Sequence, residues 1–114
     1  MAYLRDFSGT ILLKIENDYI REFNGTIKYK IVGNKLQDFF GRTLFILEGD
    51  SVKDFYGKKL LTISTNQVRD FYGRIFATFD TSYIREFNGT IRYKMDGFFS
   101  RREIMALLAL IYAS

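Results

Sequence analysis

The stretch Tyr19-Ile20-Arg21-Glu22-Phe23-Asn24-Gly25-Thr26-Ile27 returns as Tyr83-Ile84-Arg85-Glu86-Phe87-Asn88-Gly89-Thr90-Ile91, and the sixteen-residue segments that these two open share twelve residues. The copies belong to a longer series. Gly9, Gly25, Gly41, Gly57, Gly73 and Gly89 follow one another at a spacing of sixteen without a slip, and a Phe stands two places before each. The residue three places before each glycine is acidic (Asp6, Glu22, Asp38, Asp54, Asp70, Glu86), and the one five places before is aliphatic (Leu4, Ile20, Leu36, Val52, Val68, Ile84). A fixed period of this kind marks a repeat architecture. Six units therefore run over residues 3–98 of a single domain that occupies 1–114, with a helical segment at 100–114.

Sixteen residues accommodate two short strands and two tight turns, which is one β-hairpin. An acid followed three places later by Gly, as in Asp70-Phe71-Tyr72-Gly73, is the signature of a type I turn whose glycine takes the positive φ of a bulge, while Asn24-Gly25 and Asn88-Gly89 equally suit two-residue turns of the primed type. Beyond each glycine apolar residues alternate, as in Ile11, Leu13, Ile15 and Ile91, Tyr93, Met95, while Lys14, Lys28, Lys30, Arg92 and Lys94 fall between. Period two with one wet face indicates antiparallel pairing. Second turns follow at Gly33-Asn34, Gly49-Asp50, Thr65-Asn66 and Thr81-Ser82. The pattern predicts a mainly β chain of twelve short strands in up-and-down order.

After Phe98 the period ends. Ser100-Arg101-Arg102-Glu103 reads as a capping box, and a helix is predicted from Arg101 to about Ala113. Its body, Ile104 to Ala113, is apolar on every side, so it requires enclosure by protein. Twelve strands in an open sheet would expose two edges and an apolar face. Closing them into an antiparallel barrel about 12 Å in radius, around a helix about 5–6 Å in radius, removes both problems and leaves room for one layer of side chains. An open twisted sheet capped by the helix, or a solenoid with one unit per rung, are the rival arrangements. The repeated Phe residues are expected to pack at one level and plug the barrel end.

Six hairpins followed by an apolar C-terminal helix resemble the tubby-like β-barrel superfamily, which includes tubby, the phospholipid scramblases and the LURP-one-related proteins. The segment Val68-Arg69-Asp70-Phe71-Tyr72-Gly73-Arg74-Ile75 is similar to the strand-turn-strand signature of those families. The short regular units also resemble the small bacterial hairpin-repeat domains called beta-flowers. The resemblance implies a helix-filled barrel and, by analogy with tubby-like proteins, contact with anionic lipid or phosphoinositide surfaces.

Composition narrows the chemistry. The chain has no Cys and no His, which excludes thiol nucleophiles, disulfides, thiolate zinc sites and imidazole bases. No glycine cluster cradles phosphate and no Ser–Lys arrangement is legible, so no enzyme activity, cofactor or metal is expected. The six acids could in principle form a calcium-binding ring, but each is expected to cap its own turn. An acid by position 6 speaks against a secretory signal, and the ten-residue apolar run at 104–113 is about half a membrane span, so a cytoplasmic location is expected.

A net charge of +4 is mild, but it is unevenly placed. Arg42, Lys58, Lys59 and Arg74 lie just past the glycines of units three to five, where units one, two and six have Thr10, Thr26 and Thr90. Beside them Phe40, Tyr56 and Tyr72 replace the Ser8, Asn24 and Asn88 of the other units. Arg42, Lys58, Lys59, Arg74, Tyr56 and Tyr72 are therefore the candidate anion-binding residues. The expected role is structural or interaction-based, with self-association or an anionic membrane surface as partner; nucleic acid is not expected.

Overall fold

The structure is a computed structural model that describes residues 2–113. The strands are β1 (Ala2–Asp6), β2 (Ile11–Glu16), β3 (Tyr19–Glu22), β4 (Ile27–Val32), β5 (Lys35–Asp38), β6 (Thr43–Glu48), β7 (Ser51–Lys53), β8 (Lys59–Ser64), β9 (Gln67–Arg69), β10 (Ile75–Phe79), β11 (Tyr83–Glu86) and β12 (Ile91–Asp96), followed by helix α1 (Arg101–Tyr112). Each strand pairs antiparallel with its neighbours in sequence, and β1 pairs with β12 through Tyr3↔Asp96 to Asp6↔Tyr93, closing the barrel. The expected closed up-and-down barrel is thus the observed one, and every strand has two partners.

All repeat glycines stand at one end of the barrel, here called the crown, and the second turns stand at the other, the base. Every crown hairpin carries a register shift, for example between Leu4 and Arg5 and between Val52 and Lys53, whereas the base hairpins pair without one. The cause lies in the turn. The Gly9 N–H donates to the Asp6 carbonyl (3.0 Å) and the Asp6 N–H to the Thr10 carbonyl (3.0 Å), with Gly9 at φ 96°. That is a type I turn extended by a glycine bulge.

The lumen is filled by α1. Met105, Ala106, Leu107, Leu108 and Ala109 are all buried, and five consecutive residues cover the whole circumference of a helix. Around them sit the six aliphatics that open the repeat signature, Leu4, Ile20, Leu36, Val52, Val68 and Ile84, none of them more than 2% exposed. The helix starts at the base, where Arg101 donates to the Ile63 carbonyl and to Asp50, and Arg102 to the Gly33 carbonyl and Asp18. It ends at the crown, where the Tyr112 ring meets Phe76 edge-on at 5.0 Å. Twelve residues of helix rise about 18 Å, matching the 19 Å short axis of a disc that measures 36 × 34 Å across.

At the base, Asn17 and Asp18 take positive φ, as do Gly33, Gly49 and Thr65 at the places equivalent to Asn17. For Thr65, a β-branched residue at φ 48°, this conformation is strained by about 1–2 kcal/mol. Thr65→Gly is accordingly expected to stabilise the fold by about 1 kcal/mol in equilibrium urea unfolding, after allowance for glycine's greater chain entropy. An unchanged or lower midpoint would show that the turn carries no such strain.

Candidate functional site

The crown differs from expectation in one respect that changes its chemistry. Phe7, Phe23, Phe39, Phe55, Phe71 and Phe87 do not plug the barrel; they are 57–73% exposed. The physical reason is twofold. Each Phe occupies the first corner of its turn, whose side chain projects beyond the strand ends. The crown end of the lumen is also already occupied by the last turn of α1, where Tyr112 meets Phe76, so no space is left there for six rings. The layer against the helix is made by the aliphatic residue three places before each Phe. The turn assignment already contained the signal, because a corner residue of a hairpin has no partner on the neighbouring strand.

The polar groups of the crown serve the turns first. Asp6 Oδ1 accepts from the N–H groups of Ser8 and Thr10, and Asp38, Asp54 and Asp70 accept in the same way from the residues two and four places on. Glu22 and Glu86 are one methylene too long for this, and there Asn24 and Asn88 accept from Thr26 and Thr90 instead. Arg5, Arg21, Arg69 and Arg85 donate to the carbonyl of the glycine four places ahead. The four aspartates therefore cap their turns as expected, whereas Glu22 and Glu86 leave that role to Asn24 and Asn88, and among the described residues no group of the acids converges as a metal site.

These hydrogen bonds hold the carboxyls of Asp6, Asp38 and Asp70 below the usual carboxylate range. For Asp6 the Ser8 hydroxyl is the main cause, ahead of the Thr10 N–H. For Asp38 partial desolvation works upward but is outweighed by the N–H, guanidinium and charge of Arg42. For Asp70 the Arg74 N–H leads. A folded value below the unfolded 3.8 means that the contribution is present above that pH and is lost as pH falls through the folded values. Stability is therefore expected to be flat from neutrality to about pH 5 and to decline below about pH 4, with the Asp70→Asn variant showing a shallower acid limb in a pH series of thermal midpoints.

The six candidate anion-binding residues take two kinds of position. Arg42 and Arg74 fold back on their own turns, pairing with Asp38 (2.8 Å) and Asp70 (3.2 Å) and lying over the Phe40 and Tyr72 rings. Lys58 and Lys59 are exposed and form no ion pair among the described residues; Lys58 Nζ instead reaches the Phe71 ring of the neighbouring turn at 6.0 Å. Phe40, Tyr56 and Tyr72 are also exposed, Tyr56 at 89%, and each meets the preceding Phe edge-on at 5.2–5.4 Å. Units three to five thus present three adjacent aromatic pairs interleaved with cations.

Charge follows the same axis. The eight residues of each unit that surround its repeat glycine, from four before it to three after, contain eleven Lys and Arg and six Asp and Glu, a net +5. The remainder of the chain contains six and seven, a net −1. All nine exposed crown aromatics lie in the positive half. Comparison with protein-family models, with curated proteins and with solved structures finds no match for the chain.

Proposed function

We propose that the protein is a non-enzymatic barrel that docks by its crown on anionic membrane surfaces, lying flat with the short axis of the disc along the membrane normal. The observation that carries this reading is the coincidence of nine exposed aromatics with the net +5 half of the chain. Exposed rings clustered at one end of a soluble domain mark an interaction site. Aromatic side chains with adjacent Lys and Arg suit the headgroup region, where the ring sits at the interface and the cation meets phosphate. Each Lys or Arg near an anionic surface contributes about 1 kcal/mol, so the unpaired Lys58 and Lys59 together supply about thirtyfold in affinity. The strands have three to six residues, against the nine to eleven needed to cross a bilayer, which favours resting on the membrane over spanning it. The helix-filled architecture supports kinship with the tubby-like barrels as part of the same proposal.

Vesicle sedimentation tests it. The chain is expected to pellet with vesicles rich in phosphatidylserine at low salt, to be released at high salt, and to ignore neutral vesicles. Replacing Phe40, Tyr56 and Tyr72 by Ser, the residue that unit one carries at Ser8, should weaken binding at least tenfold and leave folding intact. Recovery of the parent protein in the supernatant under all conditions would reject the proposal.

A further inference from the structure

The base carries an aromatic feature of its own. Five of the second turns place a polar residue at their second position, namely Asp18, Asn34, Asp50, Asn66 and Ser82; the sixth places Phe98 there. Phe98 is 86% exposed, while the adjacent Phe99 is buried. At the foot of Phe98 lies an apolar notch of about 240 Å³ lined by Thr81, Met95, Gly97, Phe98, Phe99 and Ile104. A cavity of about 150 Å³ is enough to take a benzene ring. Phe98 itself lines the notch, so a projecting ring and an apolar hollow of matching chemistry stand side by side on one face.

We infer that two copies of this chain associate base to base about a two-fold axis, the Phe98 of each entering the notch of the other. A projecting group beside its own complementary hollow is the arrangement that closes an isologous dimer, since the same patch serves both partners. Charge selects the base over the crown. Two crowns would meet with net +5 on each side, whereas the rest of the chain has six basic and seven acidic groups, so two bases meet almost without net charge. The guanidinium groups at the base are already matched, Arg101 with Asp50 and Arg102 with Asp18, which lowers the cost of covering them. Area suffices as well. A disc of 36 × 34 Å offers a face of about 900 Å², and two thirds of it on each copy would bury about 1,200 Å² in total, within the range of stable interfaces.

The dimer would carry its two crowns on opposite outer faces. Its existence does not depend on what the crowns bind, so it is tested without lipid. Sedimentation equilibrium of the full chain is expected to give twice the monomer mass at high-micromolar concentration. Phe98→Ser should raise the dissociation constant by about thirtyfold or more, as loss of a central aromatic anchor does, and Thr81→Arg, which closes the notch from its other wall, should do the same. Circular dichroism and the unfolding midpoint should stay unchanged in both variants, because Phe98 and Thr81 are exposed. A chain that is monomeric throughout, or a dimer indifferent to both substitutions, overturns the inference. So does a dimer dissolved by changing Phe40, Tyr56 and Tyr72 to Ser, which would place the contact on the crown.

Discussion

A chain ended at Gly97 is expected not to fold. It keeps all twelve strands and every turn, yet it loses the side chains that fill the lumen. Met105, Leu107 and Leu108 are fully enclosed, and Ile104, Leu110 and Ile111 pack against them. At about 1.5–3 kcal/mol for each fully buried side chain and less for the others, their removal costs on the order of 10 kcal/mol, comparable with the entire stability of a typical domain. The shortened chain would also leave Leu4, Ile20, Leu36, Val52, Val68 and Ile84 facing a void or water. Circular dichroism and solubility check this directly. A dispersed, cooperatively unfolding product would refute the role given to the helix, whereas recovery of β signal on adding a peptide of residues 98–113 would confirm it.

Second in size is the effect of Glu103→Leu. Glu103, 7% exposed, is the one buried charged side chain among the described residues. Its Oε1 accepts from the Ser100 N–H at 2.9 Å, completing the capping box, and its Oε2 accepts from the Asp18 N–H at 3.4 Å in the turn between β2 and β3. One carboxylate thus ties the first turn of the helix to the barrel wall. Leucine fills the same space but leaves two N–H groups without their acceptor, which is expected to destabilise by about 2–4 kcal/mol in urea unfolding. Glu103→Gln retains an acceptor oxygen and should recover more than half of that loss. Equal losses for Leu and Gln would mean that charge, and not hydrogen bonding, is what the site requires.

The fold was legible in the sequence because its determinants are local and repeated. Gly9 through Gly89 state where the chain reverses, the alternation Ile11, Leu13, Ile15 states which face is dry, and Ser100 with Glu103 announces the helix. Closure also followed, because an all-apolar helix and a one-sided sheet each need the other. The outward direction of the repeated Phe does not follow from a count of large apolar residues, which treats every ring as core, whereas the corner of a turn projects outward whatever residue occupies it. The candidate cations stand out in the sequence by their position after the repeat glycines, but whether each is paired depends on reach. Arg42 and Arg74 bend back four places to an aspartate, and only the structure separates them from Lys58 and Lys59. The notch beside Phe98 was not legible at all, since it is assembled from β12, the helix and the turn before β11.

Units two and six share twelve of sixteen residues, so removing or repeating the stretch between their equivalent points would give rings of two or ten hairpins. The products would not survive, for a reason set by the β1–β12 seam. Circumference grows with strand number while the rod inside keeps one girth, so a ring of two hairpins could not pass around it and a ring of ten would hang loose. The number six is therefore enforced by stereochemistry at the level of the folded product, and a lineage carrying this protein can drift in the wording of each unit far more freely than in how many it has.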